Sequence, residues 1–198
     1  MNTGPLTPIT PRPTVVDSIA GLDSCDSTSG DEVDTIANGC LELDPEVQCL
    51  NALLWTPTAA VVKIAEHLDE TDFYRPDFGA IYASIARLAR GGHAHTAALV
   101  AAELQRDAGA RTDYLRGALL AVAIGDARAH DASHYALAVL SQSYRRGYAI
   151  AAARFTQIAE TVSEDELFEQ MCALGRERRT ARDRLRAAAQ ALSQMDEP

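Results

Sequence analysis

Residues 44–92 read DPEVQCLNALLWTPTAAVVKIAEHLDETDFYRPDFGAIYASIARLARGG, and this stretch decides the fold. Asp44-Pro45 places an N-cap residue before a proline at the first helical position, and Val47, Leu50, Leu53 and Leu54 follow at helical spacing. Thr56-Pro57 repeats the device for a second helix carrying Val61, Ile64, Ala65 and Leu68. An Asp69–Asp72 turn follows. Pro76 then holds Arg75 extended and opens a third helix, with Phe78, Ile81, Tyr82, Ile85 and Leu88 as its apolar stripe and Gly91-Gly92 as its stop. Phe73 and Tyr74, in the Asp-Phe-Tyr-Arg-Pro connector, are expected to insert into the core between these helices.

Two more helices complete a head of about five over residues 44–125. One starts at Thr96, carries Ala97, Val100, Ala101 and Leu104, and stops at Gly109; the next runs from Thr112 to Ile124 on Leu115, Ala118, Leu119 and Val122. Short amphipathic helices with short connections make an all-α bundle. Beyond it, over 126–175, one apolar stripe passes through Leu137, Leu140, Tyr144, Tyr148, Ala151, Phe155, Ile158 and Val162. A helix of some 30 residues extends about 45 Å, longer than the head can cover, so it folds back as a hairpin or pairs with another chain. Gly147 is the candidate bend. Leu137, Leu140, Tyr144, Tyr148, Phe155 and Ile158 are the expected self-association residues, giving a dimer or higher homo-oligomer. Ser163 and Glu166 have capping-box spacing for another helix.

Charge divides the chain. The formal charge is -10, but residues 1–45 hold eight acids against Arg12 alone, which is -7 and leaves -3 for the rest. Residues 1–43, rich in Pro, Ser and Asp, carry too little periodic apolar surface to offset ordering entropy and are expected to be a disordered acidic arm, either solubilising or partner-binding. At the other end, 176–198 form an Arg-rich helix and tail. Arg176, Arg178, Arg179, Arg182, Arg184 and Arg186 stand against Glu177 and Asp183, a pattern that suits either phosphate contact or a solvated helix face.

Catalytic and cofactor motifs are missing from these 198 residues. Lys63 is the sole lysine and has no glycine-rich loop before it, so there is no phosphate-binding P-loop. No Gly-x-Ser-x-Gly elbow occurs. His130 and His134 could share a helix face as metal ligands do, but no third ligand is identifiable, and His93-Ala-His95 reads as surface. The four cysteines show neither zinc nor disulfide spacing. No catalytic residue, metal or cofactor is therefore assigned. With no signal peptide and no membrane-length apolar run, the expected location is cytoplasmic, with no membrane contact.

The run from Glu46 to about Met171 resembles the N-terminal domain of replicative hexameric helicases of the bacterial DnaB type. The residues that carry this are Glu46-Val47-Gln48-Cys49-Leu50-Asn51-Ala52-Leu53-Leu54 with Pro57, the Asp72–Pro76 connector leading into Phe78, Ile81 and Tyr82, and Gly92 before Thr96, Leu99 and Ala102-Glu103-Leu104. Tyr114-Leu115 and the Tyr135 helix continue the order. The resemblance implies a helical head joined to a subunit-pairing hairpin, which forms a collar that docks primase and helicase loader. It also implies a collar without its motor, since the sequence stops where such a helicase continues into its ATPase domain. The expected function is a non-catalytic, self-associating interaction module linked to DNA replication through helicase, primase or loader contacts. The alternatives are an all-helical regulator or small-molecule sensor, and a nucleic-acid-binding accessory protein using the Arg helix.

Overall fold

The computed structural model describes residues 43–108 and 112–195. The expectations for the arm up to residue 42 and for the stop at Gly109 lie outside them. Among the described residues there are seven α-helices and no strand. We number them α1 (Pro45–Trp55), α2 (Thr58–Ile64), α3 (Pro76–Arg90), α4 (Ala97–Ala108), α5 (Thr112–Ala123), α6 (Ala132–Thr161) and α7 (Glu164–Ser193). Short 3-10 turns at Glu70–Asp72 and Ala129–Asp131 precede α3 and α6. The all-α class is as the sequence implies.

Helix α1 is the axis of the head. Asp44 Oδ1 accepts from the Glu46 N–H at 2.9 Å, capping the helix as its sequence position dictates. Every residue from Glu46 to Leu54 is buried, because α3, α5 and α6 all pack around it. Thr56 does not cap α2, contrary to expectation. Its hydroxyl instead closes α1 by donating to the Ala52 carbonyl at 2.8 Å, and α2 starts from Pro57 with no side-chain cap.

The connector splits its two aromatic residues. Phe73 is 5% exposed, with its ring centroid 5.1 Å from that of Tyr82, whereas Tyr74 is 75% exposed. The expectation that both insert is corrected by backbone geometry. Phe73 and Arg75 are extended, and successive side chains on an extended chain point to opposite sides. Tyr82 donates its hydroxyl to the Leu68 carbonyl at 2.8 Å, fixing α3 to the end of the preceding turn. Gly79 allows the closest approach in this region, since a Cβ there would stand 2.6 Å from the Glu70 carbonyl oxygen.

Helices α6 and α7 form an antiparallel hairpin rooted in the head. Ala132, Ala136, Val139 and Leu140 of α6, and Ala188 and Leu192 of α7, belong to the head core. Neither Gly147 nor Gly175 breaks its helix; the chain reverses at Val162-Ser163. The Arg-rich segment is thus the returning limb of the hairpin, continuous with the helix that begins at Glu164. The capping box is incomplete, because the Ser163 hydroxyl donates to the Glu166 carboxylate at 3.1 Å and gives no cap to the backbone.

Candidate interaction surface

Two buried carboxylates hold the hairpin at a fixed attitude to the head. Asp72, 2% exposed, accepts from Ser143 Oγ at 2.9 Å on α6 and from both terminal nitrogens of Arg184 on α7, at 2.9 and 2.5 Å. Its own backbone carbonyl accepts from Arg146. Glu46, 3% exposed at the start of α1, accepts from the Tyr74 N–H at 2.6 Å and lies 3.5 Å from an Arg146 nitrogen. Burial pushes the Glu46 carboxyl above its ordinary pKa, against the lowering pull of the Tyr74 and Arg75 N–H groups. Arg75 is turned aside by Asp77 at 2.6 Å and lies over the Phe78 ring. The connector is therefore the joint at which α1, α3, α6 and α7 meet.

Past this joint the hairpin has no head to cover it. No residue between Leu140 and Leu185 belongs to the head core. Two helices bury only the stripe between them, and Tyr148, Ile150, Phe155, Phe168 and Met171 stay exposed. Exposed large apolar side chains on a protruding element make this half of the hairpin the candidate contact surface.

The six residues expected to pair subunits are divided by the structure. Leu140 is 4% exposed inside the head core, where it cannot also face a partner, and Leu137 packs partly buried against the same core. The reason is that the stripe serves the head over its first two turns and the open hairpin only afterwards. Tyr144 and Ile158 are half-buried; Tyr148 and Phe155 are exposed. The Tyr144 and Tyr148 hydroxyls sit 2.9 Å apart with their rings edge to face. Ile150, Phe168 and Met171 join the exposed set, and the first of these lies off the stripe that sequence spacing picks out.

The Arg residues expected to meet phosphate do not form one row. Arg184 is committed to Asp72 and to the His67 carbonyl, and Arg182 pairs with Asp183 at 2.8 Å. Arg178 lies half-buried across α6 at Gly147. Arg176, Arg179 and Arg186 are exposed. Of the histidines, His95 is buried rather than superficial, with Nε2 3.0 Å from the Thr56 carbonyl, while His130 stands 3.4 Å from the Asp131 carboxylate. Among the described residues no three His, Cys, Asp or Glu side chains converge to hold a metal, and no helix is long and apolar enough to cross a membrane.

A family model for the DnaB-like helicase N-terminal domain matches residues 41–140. The chain belongs to that family. Among solved structures, the N-terminal domain of DnaB helicase from Mycobacterium tuberculosis is similar at 25% identity and a TM-score of 0.59, covering 67% of this chain and 94% of that one. No curated protein sequence matches the chain. The family match spans the head and the root of α6, and so includes both Glu46 and Asp72. It concerns the helicase's N-terminal domain, which is distinct from its ATPase domain.

Proposed function

We propose that this DnaB-like N-terminal domain is a non-catalytic protein-interaction module that self-associates through the free half of its hairpin and contacts the replication machinery. The observation that carries the reading is the exposure of Tyr148, Phe155, Phe168 and Met171 on an element fixed to the head by Asp72 and Glu46. A rigid arm that presents apolar side chains is suited to packing against its own copy, because a two-fold pair buries the same patch from both partners. Leu140 drops out of the contact set, and Tyr144, Tyr148, Phe155 and Ile158 remain in it. In this arrangement the head remains free to contact a replicative helicase, a primase or a helicase loader.

Hydrogen exchange at rising protein concentration tests the pairing. Amides in 148–161 and 164–175 should exchange more slowly as the chain associates, while those of α1 and α3 stay constant. Equal rates in the hairpin at every concentration would contradict the reading. For the replication link, the chain immobilised as bait should retain the cognate helicase, primase or loader from purified mixtures. Failure with all three would leave self-association as the sole role.

A further inference from the structure

A cleft of about 260 Å³ opens between α6, α7 and the Glu70–Asp72 turn, with Thr71, Ser143, Arg146, Gly147, Arg178 and Arg184 in its walls. Three guanidinium groups line it against one carboxylate, Asp72, which Arg184 already occupies through both oxygens. Arg146 is taken up by Glu46 and the Asp72 carbonyl. Arg178 is left over: its Nε is buried without a hydrogen-bond partner among the described residues. Gly147 makes room for it, since a Cβ there would collide with Arg178 Nη1. A glycine weakens the middle of a helix, and here the guanidinium lies where the side chain would be. An unpaired guanidinium at a cleft is a docking point for an oxyanion, which its planar fork can bind through two hydrogen bonds.

The chain carries such anionic groups in its own N-terminal sequence. Residues 23–34, DSCDSTSGDEVD, hold Asp23, Asp26, Asp31, Glu32 and Asp34 with no Lys or Arg. The arm joins the head at Asp44, which lies in the wall of a second depression with Tyr74, Gln142, Arg145 and Arg146. Arg146 lines both depressions, so the point of attachment adjoins the cleft. Nine residues, 35–43, connect Asp34 to Asp44, and the ten steps between them reach about 35 Å when extended.

We propose that the cleft is an anion site and that its occupant is the acidic segment 23–34 of the same chain, with a carboxylate paired to Arg178. Any other polyanion approaching this side of the hairpin has to displace that segment.

Cys25 lies inside the segment and offers a direct test in the full chain. A nitroxide is placed on Cys25 with Cys40 and Cys172 changed to Ser; Cys49 is fully buried and stays unmodified. Amide cross-peaks of residues 143–150 and 176–184 should lose intensity. The loss should vanish in 1 M NaCl, where the Debye length is ~3 Å, and in a chain with Asp23, Asp26, Asp31 and Asp34 changed to Asn and Glu32 to Gln. Arg178→Ala should abolish it too, and so should Gly147→Ala, which displaces the guanidinium while leaving α6 a better helix former. Even loss along the whole chain, or local loss that survives Arg178→Ala and Gly147→Ala, would overturn the proposal. Loss seen only between a spin-labelled chain and a separate isotope-labelled chain would overturn the same-chain assignment.

Discussion

At the scale of single residues, Glu46 and Asp72 control how the hairpin meets the head, and pH separates the contribution of Glu46 from that of Asp69 in the neighbouring turn. Burial raises the Glu46 pKa above its ordinary 4.5, so as pH climbs from that value the unfolded chain releases its proton first and stability falls. Asp69 works in the opposite sense. Hydrogen bonds from the Thr71 N–H and hydroxyl lower its pKa, so its contribution is present above the ordinary aspartate range and is lost as pH drops through the folded value. Glu46→Gln should therefore flatten the decline in urea midpoint from about pH 4.5 upward. An unchanged slope would show that the carboxyl is not held against its charge. Asp72→Ala should cost about 2–3 kcal/mol in chemical denaturation, below the usual range for a buried pair because Arg184 is 40% exposed.

The connector gives a second residue-scale contrast. Phe73→Ala should destabilise the head by about 3–5 kcal/mol, since it empties a site that is 5% exposed beside Tyr82. Tyr74→Ala, one residue on, should change the unfolding free energy by less than about 1 kcal/mol. Equal effects would mean that the two rings share one environment. The sequence makes both residues look like core, because hydrophobicity alone does not say which side of an extended chain faces inward.

At the scale of elements, what is legible in the sequence is what depends on neighbours along the chain. Asp44-Pro45, Pro76 and Gly92 mark helix ends by backbone chemistry that needs no tertiary partner, and α1 and α3 begin where those signals stand. Thr56 and Ser163 were equally plausible caps by residue type. The Thr56 hydroxyl is claimed by the carbonyls of Ala52 and Ala129, the second of them 73 residues away, and nothing local announces that choice. The joint is hidden for the same reason: Asp72 meets Ser143 and Arg184 across 71 and 112 residues. Gly79 is a further case, reading as an ordinary helical glycine although it lets α3 pass against the Glu70 carbonyl. Gly79→Ala should thus destabilise by about 1–3 kcal/mol despite the better helix propensity of Ala, because backbone must move. A gain in thermal midpoint would show that the turn yields more easily than its geometry implies.

At the scale of the molecule, the head is a closed bundle and the hairpin is not. The head surrounds α1 so fully that its N-terminal acid is buried and must be satisfied by the connector. The hairpin repeats helix-forming chemistry for 30 residues in each limb, but beyond the joint it has only itself to pack against. The family match accounts for the head and the root of the hairpin, whereas the free half lies past residue 140. Its exposed aromatic and aliphatic side chains are the feature that the proposed pairing explains. Sedimentation velocity of the full chain at micromolar concentration tests that pairing most directly, alongside a Tyr148→Asp, Phe155→Asp variant. The account predicts a species larger than the 21.3 kDa monomer for the unmodified chain and a folded monomer for the variant; a monomer in both cases, or an assembly that the two aspartates leave intact, would contradict it.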